Sequence, residues 1–285
     1  MNPGRKRPVG IEVFYWLDRW SDDQTACFAR ARRAGFDGVE ISLLAGSMPK
    51  VEVYQRMLAD HGLGVVCSTG LTPQLDVSSP DRDIRRAGIA HLIDGLETAA
   101  ALGSPVLGGV TYAPWLHFPE VGELGPFVER SAASLAEVAR VADGLGVVLC
   151  LEILNRFETY MLNTVEQGLS FLDLVDHKAV RLELDTFHMN IEEDDVGRAI
   201  RLAGERLGHF QCAANNRRAP QHGRIDWNEV KDALDDAAYE GWVVFETFPN
   251  PAVEVGRTTY TWRHLVTDAD AEAGAAATLM RERLA

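Results

Sequence analysis

VVLCLE, RLELD, GHFQ and VVFE are four apolar runs in the second half of the chain, and each closes on an oxygen-bearing side chain: Glu152, Asp185, Gln211 and Glu246. A carboxylate at the end of a buried run is costly to ionise alone, so three that converge require a cation among them. Carboxylate and amide oxygens are hard donors, a set that suits Mg²⁺ or Mn²⁺. Any one of these ends, taken singly, reads as a salt-bridged loop anchor; four on consecutive runs argue for one site. His188 lies three residues past Asp185 in LDTFHMNIEED, and LNRFETYMLNT carries Asn155, Arg156 and Glu158 just after Glu152. In GHFQCAANNRR, His209 and Gln211 are two apart, so a strand turns both to one face. Asn215, Asn216, Arg217 and Arg218 crowd its exit. Glu40, in VEIS, is a further acid of this kind, the alternative being a simple pair with Arg32 or Arg33.

These side chains need elements to carry them. Eight β-branched runs read as strands: 9–16, 37–44, 64–70, 105–110, 146–152, 180–185, 208–212 and 242–246. Between them lie amphipathic stretches such as DQTACFARARRAG, DIRRAGIAHLIDGLETAAALG and GPFVERSAASLAEVARVADGLG, several closing on glycine as helix C-termini do. The tail from Asp268 reads as a closing helix. Strict alternation predicts a parallel sheet, and eight units in this length predict one closed (β/α)8 TIM barrel spanning residues 1–285 as a single α/β domain. The open-sheet alternative needs a Gly-rich phosphate loop after the first strand, where FYWLDRWSDD stands instead. In a barrel the C-terminal strand ends face the active site, so the four polar ends share a mouth. Trp16, Trp20, Tyr112, Trp115 and Phe248 are candidates for its walls.

The 285 residues are 46% hydrophobic and 25% charged, enough chain for a large core. A net charge of −14 argues against nucleic acid or an anionic membrane as partner, because phosphate neutralisation dominates such contacts. Cys27, Cys67, Cys150 and Cys212 form no CxxC pair and are expected to be reduced and mostly buried. The basic start MNPGRKRPVG has no apolar run behind it, and no stretch approaches the roughly 20 apolar residues of a membrane span. A cytoplasmic location is expected.

LEILNRFETYMLNT, LELDTFHMNIEED, GHFQCAANNRRAPQHGRIDW and VVFETF, with GLTPQLDVSSPDRDIRRAGIAHL and LGGVTY earlier, resemble the D-tagatose, D-allulose and L-ribulose group of ketose 3-epimerases. That group lies in the xylose-isomerase-like barrel superfamily. The resemblance implies a divalent metal, usually Mn²⁺ or Co²⁺, on Glu152, Asp185, the residue at 211 and Glu246, and no organic cofactor. It implies Glu152 and Glu246 as the catalytic pair, with Glu158, His188 and Arg217 on the substrate. It also implies a homodimer or homotetramer. Of these seven positions only 211 departs: the family reads close to GHFHTGENNRR, whereas here Gln211 replaces the metal-binding His, and beside it Ala213-Ala214 replaces Gly-Glu. Gln and neutral His carry the same charge, and the harder amide oxygen favours Mn²⁺ or Mg²⁺. Hydroxypyruvate isomerases are similar in having Gln here.

The implied chemistry is removal of a proton beside a ketose carbonyl, passage through a cis-enediolate, and return of a proton to the other face, with inversion at C3. Two alternatives use the same apparatus: an aldose–ketose isomerase, and a lyase that cleaves 3-oxo-glycosides, including C-glycosides, by elimination. Abasic-site endonucleases share the barrel but resemble a His-rich, multi-metal cluster with a basic face, unlike this acidic chain. A metal-dead partner subunit is the non-enzymatic alternative that Gln211 raises.

Overall fold

The computed structural model describes residues 7–46, 48–120 and 122–285. Its eight strands are β1 (Val9–Glu12), β2 (Gly38–Ser42), β3 (Gly64–Leu71), β4 (Val106–Pro114), β5 (Val148–Ile153), β6 (Val180–Asp185), β7 (Leu207–Cys212) and β8 (Val243–Phe245). They pair in parallel in sequence order, and β1 also pairs with β8, closing the barrel. All eight expected strands are present. Outside them run α1 (Phe28–Ala34), α2 (Val51–His61), α3 (Arg82–Leu102), α4 (Gly125–Leu145), α5 (Val165–Val175), α6 (Thr186–Glu192), α7 (Val196–Ala203), α8 (Trp227–Asp236), α9 (Glu254–Thr258) and α10 (Ala269–Arg283). The longest helices have local start and stop signals. Asp81 caps α3 by accepting from the amides of Asp83 and Ile84, and Gly103 ends it at φ 83°, a conformation glycine adopts without strain.

Several expected boundaries move, with β4 running on from residue 110 to Pro114 and β2 ending at Ser42 rather than residue 44. β1 stops at Glu12 rather than residue 16, because the Glu12 carboxylate accepts the Phe14 amide at 3.1 Å and bends Val13–Tyr15 into a 3₁₀ turn. The first helix begins as a 3₁₀ segment at Gln24–Cys27 before α1 takes over at Phe28. All four cysteines are free and buried, as expected. Among the described residues, no helix is long and apolar enough to cross a membrane.

Strand alternation sorts side chains between two cores. Leu182 and Leu184 of β6 join the large apolar layer between sheet and helices, with Ile11, Val39, Leu107, Leu149 and Phe210. Inside the barrel a separate small cluster, Val66, Val106, Cys150 and Val244 with Trp242 against it, fills the lower end. Residues two further along the same strands, such as Glu152 and Glu246, therefore rise above an apolar plug. Trp242 lies across the starts of β2 and β3 because those strands begin with glycine. A Cβ on Gly38 would sit 2.4 Å from the Trp242 ring and 2.6 Å from the Gly64 carbonyl oxygen. Gly38→Ala is expected to destabilise the protein by about 1–3 kcal/mol through this overpacking, lowering Tm by several degrees. Thermal unfolding measures it, and an unchanged Tm would show that Trp242 can withdraw freely.

Candidate active site at the barrel mouth

Above the plug, the strand ends open into a cavity of about 1160 Å³ lined by Glu12, Glu40, Glu152, Glu183, Gln211 and Glu246, among others. Register places the site in two tiers. β6 and β7 set Asp185 beside Gln211 in the upper tier and Glu183 beside His209 one step below, while β1 and β2 set Glu12 beside Glu40. All of these side chains are buried except that of Glu246, which is 13% exposed.

In the upper tier, single carboxylate or imidazole atoms of Glu152, Asp185 and His188 lie within 4.8 Å of one another. His188 Nε2 is 3.5 Å from Glu152 and 3.7 Å from Asp185. Its other nitrogen takes the Asn155 amide N–H at 3.2 Å, and the Asn155 side-chain nitrogen in turn donates to Glu158 at 2.9 Å. Trp115 Nε1 holds the second Glu158 oxygen at 3.0 Å. Arg217 ties the tier together, one guanidinium nitrogen donating to Asp185 and another to Glu246. It lies between Phe187 and Phe248, at 4.7 and 5.4 Å from their ring centres. Arg217 has φ 59°, uncommon for a residue with a Cβ, and Thr247 secures the turn by donating to its carbonyl oxygen.

Gln211 is oriented from below. Its Nε2 donates to Glu40 at 2.9 Å, and its Oε1 is buried with no partner. A buried carbonyl oxygen without a donor is costly, and a cation in the upper tier would satisfy it. With three carboxylates, that donor set fits a hard divalent ion. Register sets Asp185 beside Gln211 and Arg217 bridges Asp185 and Glu246, while the compact trio of the upper tier is Glu152, Asp185 and His188.

Burial drives the acids upward. It raises the Glu152 carboxyl above its ordinary range, with His188 pulling it back, and it raises Glu246 well above that range, with Arg217 opposing. Glu158 goes the other way: His188 and Arg217 outweigh its burial and hold it below the ordinary range. Glu12 and Glu183 are pushed well up by burial and by neighbouring carboxylates.

Several expected placements are corrected. Glu40 pairs with His209 and Gln211 inside the barrel, not with Arg32 or Arg33, because β2 turns it inward. Arg218 leaves the mouth to bond the Leu265 carbonyl, so only Arg217 of the arginine pair enters. Arg156 is exposed and pairs with Glu192. Of the wall candidates, Trp20, Trp115 and Phe248 line the cavity. Tyr112 is instead fully buried, its hydroxyl donating to the Glu152 carbonyl, and Trp16 stacks against Arg30 elsewhere. Sequence reasoning missed Glu12 and Glu183. The spacing of Glu183 from Asp185 in LELD, two residues within one strand, was the available signal.

The model of the xylose isomerase-like TIM barrel family matches residues 28–273. A D-psicose 3-epimerase of Ruminiclostridium cellulolyticum is 39% identical over 267 residues, 92% of this chain and 90% of that protein. An L-ribulose 3-epimerase of Mesorhizobium japonicum is 36% identical, covering 91% of this chain and 88% of the relative. A crystal structure of D-psicose 3-epimerase with D-tagatose from Clostridium cellulolyticum H10 superposes with a TM-score of 0.92 at 37% identity, covering 97% of this chain and 99% of the other.

Proposed function

From the premise that this chain belongs to the xylose isomerase-like TIM barrel family, among its ketose 3-epimerases, we propose that it inverts C3 of a free ketose. One observation carries the reading. Glu152 on β5 and Glu246 after β8 reach the same mouth from different sides of the barrel, and burial raises both. A carboxyl raised by burial can take a proton from carbon or return one, and two of them can serve opposite faces of a planar cis-enediolate. Asp185, Gln211 and the two glutamates would hold the divalent ion, with Mn²⁺ first and Mg²⁺ or Co²⁺ as alternatives. When bound, that ion supplies stabilisation of negative charge on the substrate oxygens.

The remaining roles follow from what each side chain offers. Arg217 keeps its charge in a closed site and presents it toward developing oxyanion charge. His188 presents Nε2 beside Glu152, its ring set by Asn155. Glu158, held ionised by its surroundings, accepts from a substrate hydroxyl. The substrate is a small sugar, met in the cytoplasm by a homodimer or homotetramer.

A second reading has its own support. The cavity exceeds the ~300–1,000 Å³ typical of pockets for drug-sized ligands. Exposed aromatic side chains line it, including Phe157, Tyr260 and Trp262, the last 71% exposed. Such a rim would seat the aglycone of a 3-oxo-glycoside, and the same proton abstraction would then expel it. Turnover in D₂O separates the readings. Deuterium at C3 with inversion is expected for the epimerase, and label at C1 with aldose formation would indicate an isomerase. No exchange on a panel of free ketoses, with aglycone released from a 3-oxo-glycoside, would overturn the epimerase in favour of the lyase.

A further inference from the structure

The lower tier is a problem in charge that the upper one does not solve. Glu12, Glu40 and Glu183 are 2%, 1% and 0% exposed, and among the described residues no lysine or arginine pairs with any of them. Arg217 is committed to Asp185 and Glu246. Glu12 is partly satisfied by the Phe14 amide. Glu40, whose two oxygens face His209 Nε2 at 2.7 Å and Gln211 Nε2 at 2.9 Å, forms a compact trio with Glu183 and His209, one ligand atom from each lying within 4.8 Å of the others.

Glu183 is the informative member. The barrel makes room for it: a Cβ on Gly108 of β4 would lie 2.1 Å from its Oε2, so any other residue there would occupy its space. The Gly109 amide donates to the same oxygen at 2.7 Å. Its other oxygen, Oε1, is buried without a partner, and so is His209 Nδ1. A side chain given space by glycine, anchored at one oxygen and left open at the other, is arranged as a ligand is. An ion pair or a fully hydrogen-bonded acid would close both oxygens.

We propose that the barrel floor carries a second divalent-cation site, formed by Glu40, Glu183 and His209 beneath the first. Two carboxylates and an imidazole suit Mn²⁺, and ligand bonds of roughly 2.0–2.2 Å are reachable from a trio this compact with small side-chain shifts. The ion would neutralise Glu40, the group that orients Gln211, so the lower site supports the upper from below. The proposal does not depend on which sugar is the substrate.

Crystals of the full chain saturated with MnCl₂, measured above and below the manganese absorption edge, test it directly. Anomalous density is expected among Glu40, Glu183 and His209, separate from density at the mouth. In Glu183→Gln, which keeps the shape and removes a buried charge, the lower peak should vanish while the upper one persists. Metal content in solution should fall by one equivalent. No lower peak in the wild-type protein, or a lower peak unchanged in Glu183→Gln, would overturn the site and leave these acids as purely structural groups.

Discussion

Glu152→Gln and Glu246→Gln are each expected to lower turnover by about 10²–10⁴-fold, the usual worth of a positioned acid or base. Glutamine keeps the volume and can still offer an oxygen to a cation, but it cannot carry a proton. The loss should fall on kcat more than on KM, since what is removed acts in proton transfer. Both side chains are acids raised by burial, so neutral replacements relieve a desolvation cost and the proteins should fold. The two variants should differ in exchange. Each removes the carrier for one face of the enediolate, so each should retain solvent exchange from one epimer and lose it from the other. Kinetics on both epimers with deuterium exchange measure this, and wild-type turnover in either variant would sink the paired roles.

Gln211→Ala should weaken Mn²⁺ binding by at least about 10–100-fold, the range seen even for groups one shell removed from a metal. The substitution deletes the unpartnered Oε1 and the bond to Glu40 together. Excess Mn²⁺ should recover part of the activity. Gln211→His separates the two effects, restoring a nitrogen ligand and shifting preference toward Co²⁺. Its metal affinity should also fall as pH drops below about 6.5, because a protonated imidazole cannot ligate, whereas the wild-type amide has no such titration. Isothermal titration of Mn²⁺ into the three proteins decides the matter. Unchanged affinity in Gln211→Ala would mean that Gln211 only braces Glu40.

Much of the barrel was legible because its signals are local. Apolar runs of β-branched residues, glycine after several helices and the absence of a phosphate loop all act within a few residues, and all eight strands followed from them. The upper tier was legible for a related reason. Glu152, Asp185, Gln211 and Glu246 each stand where an apolar strand stops, and parallel strands in a closed sheet bring their C-terminal ends to one mouth. The early end of β1 was not legible, since it turns on one side chain bonding its own backbone two residues on.

By itself, then, the order of residues determined a single parallel barrel and the polar ring at its mouth, because both depend on pattern along the chain. Only the tertiary structure decided which polar groups meet across it. That Glu40 serves His209 and Gln211 rather than a neighbouring arginine depends on the pairing of β1 through β8 around a closed sheet, 169 and 171 residues apart. That Arg217 enters while Arg218 leaves depends on a left-handed turn held by Thr247. The fit of Glu183 depends on Gly108, a residue on a different strand that contributes only space. Such contacts are set by the geometry of closure, and no spacing within one segment encodes them.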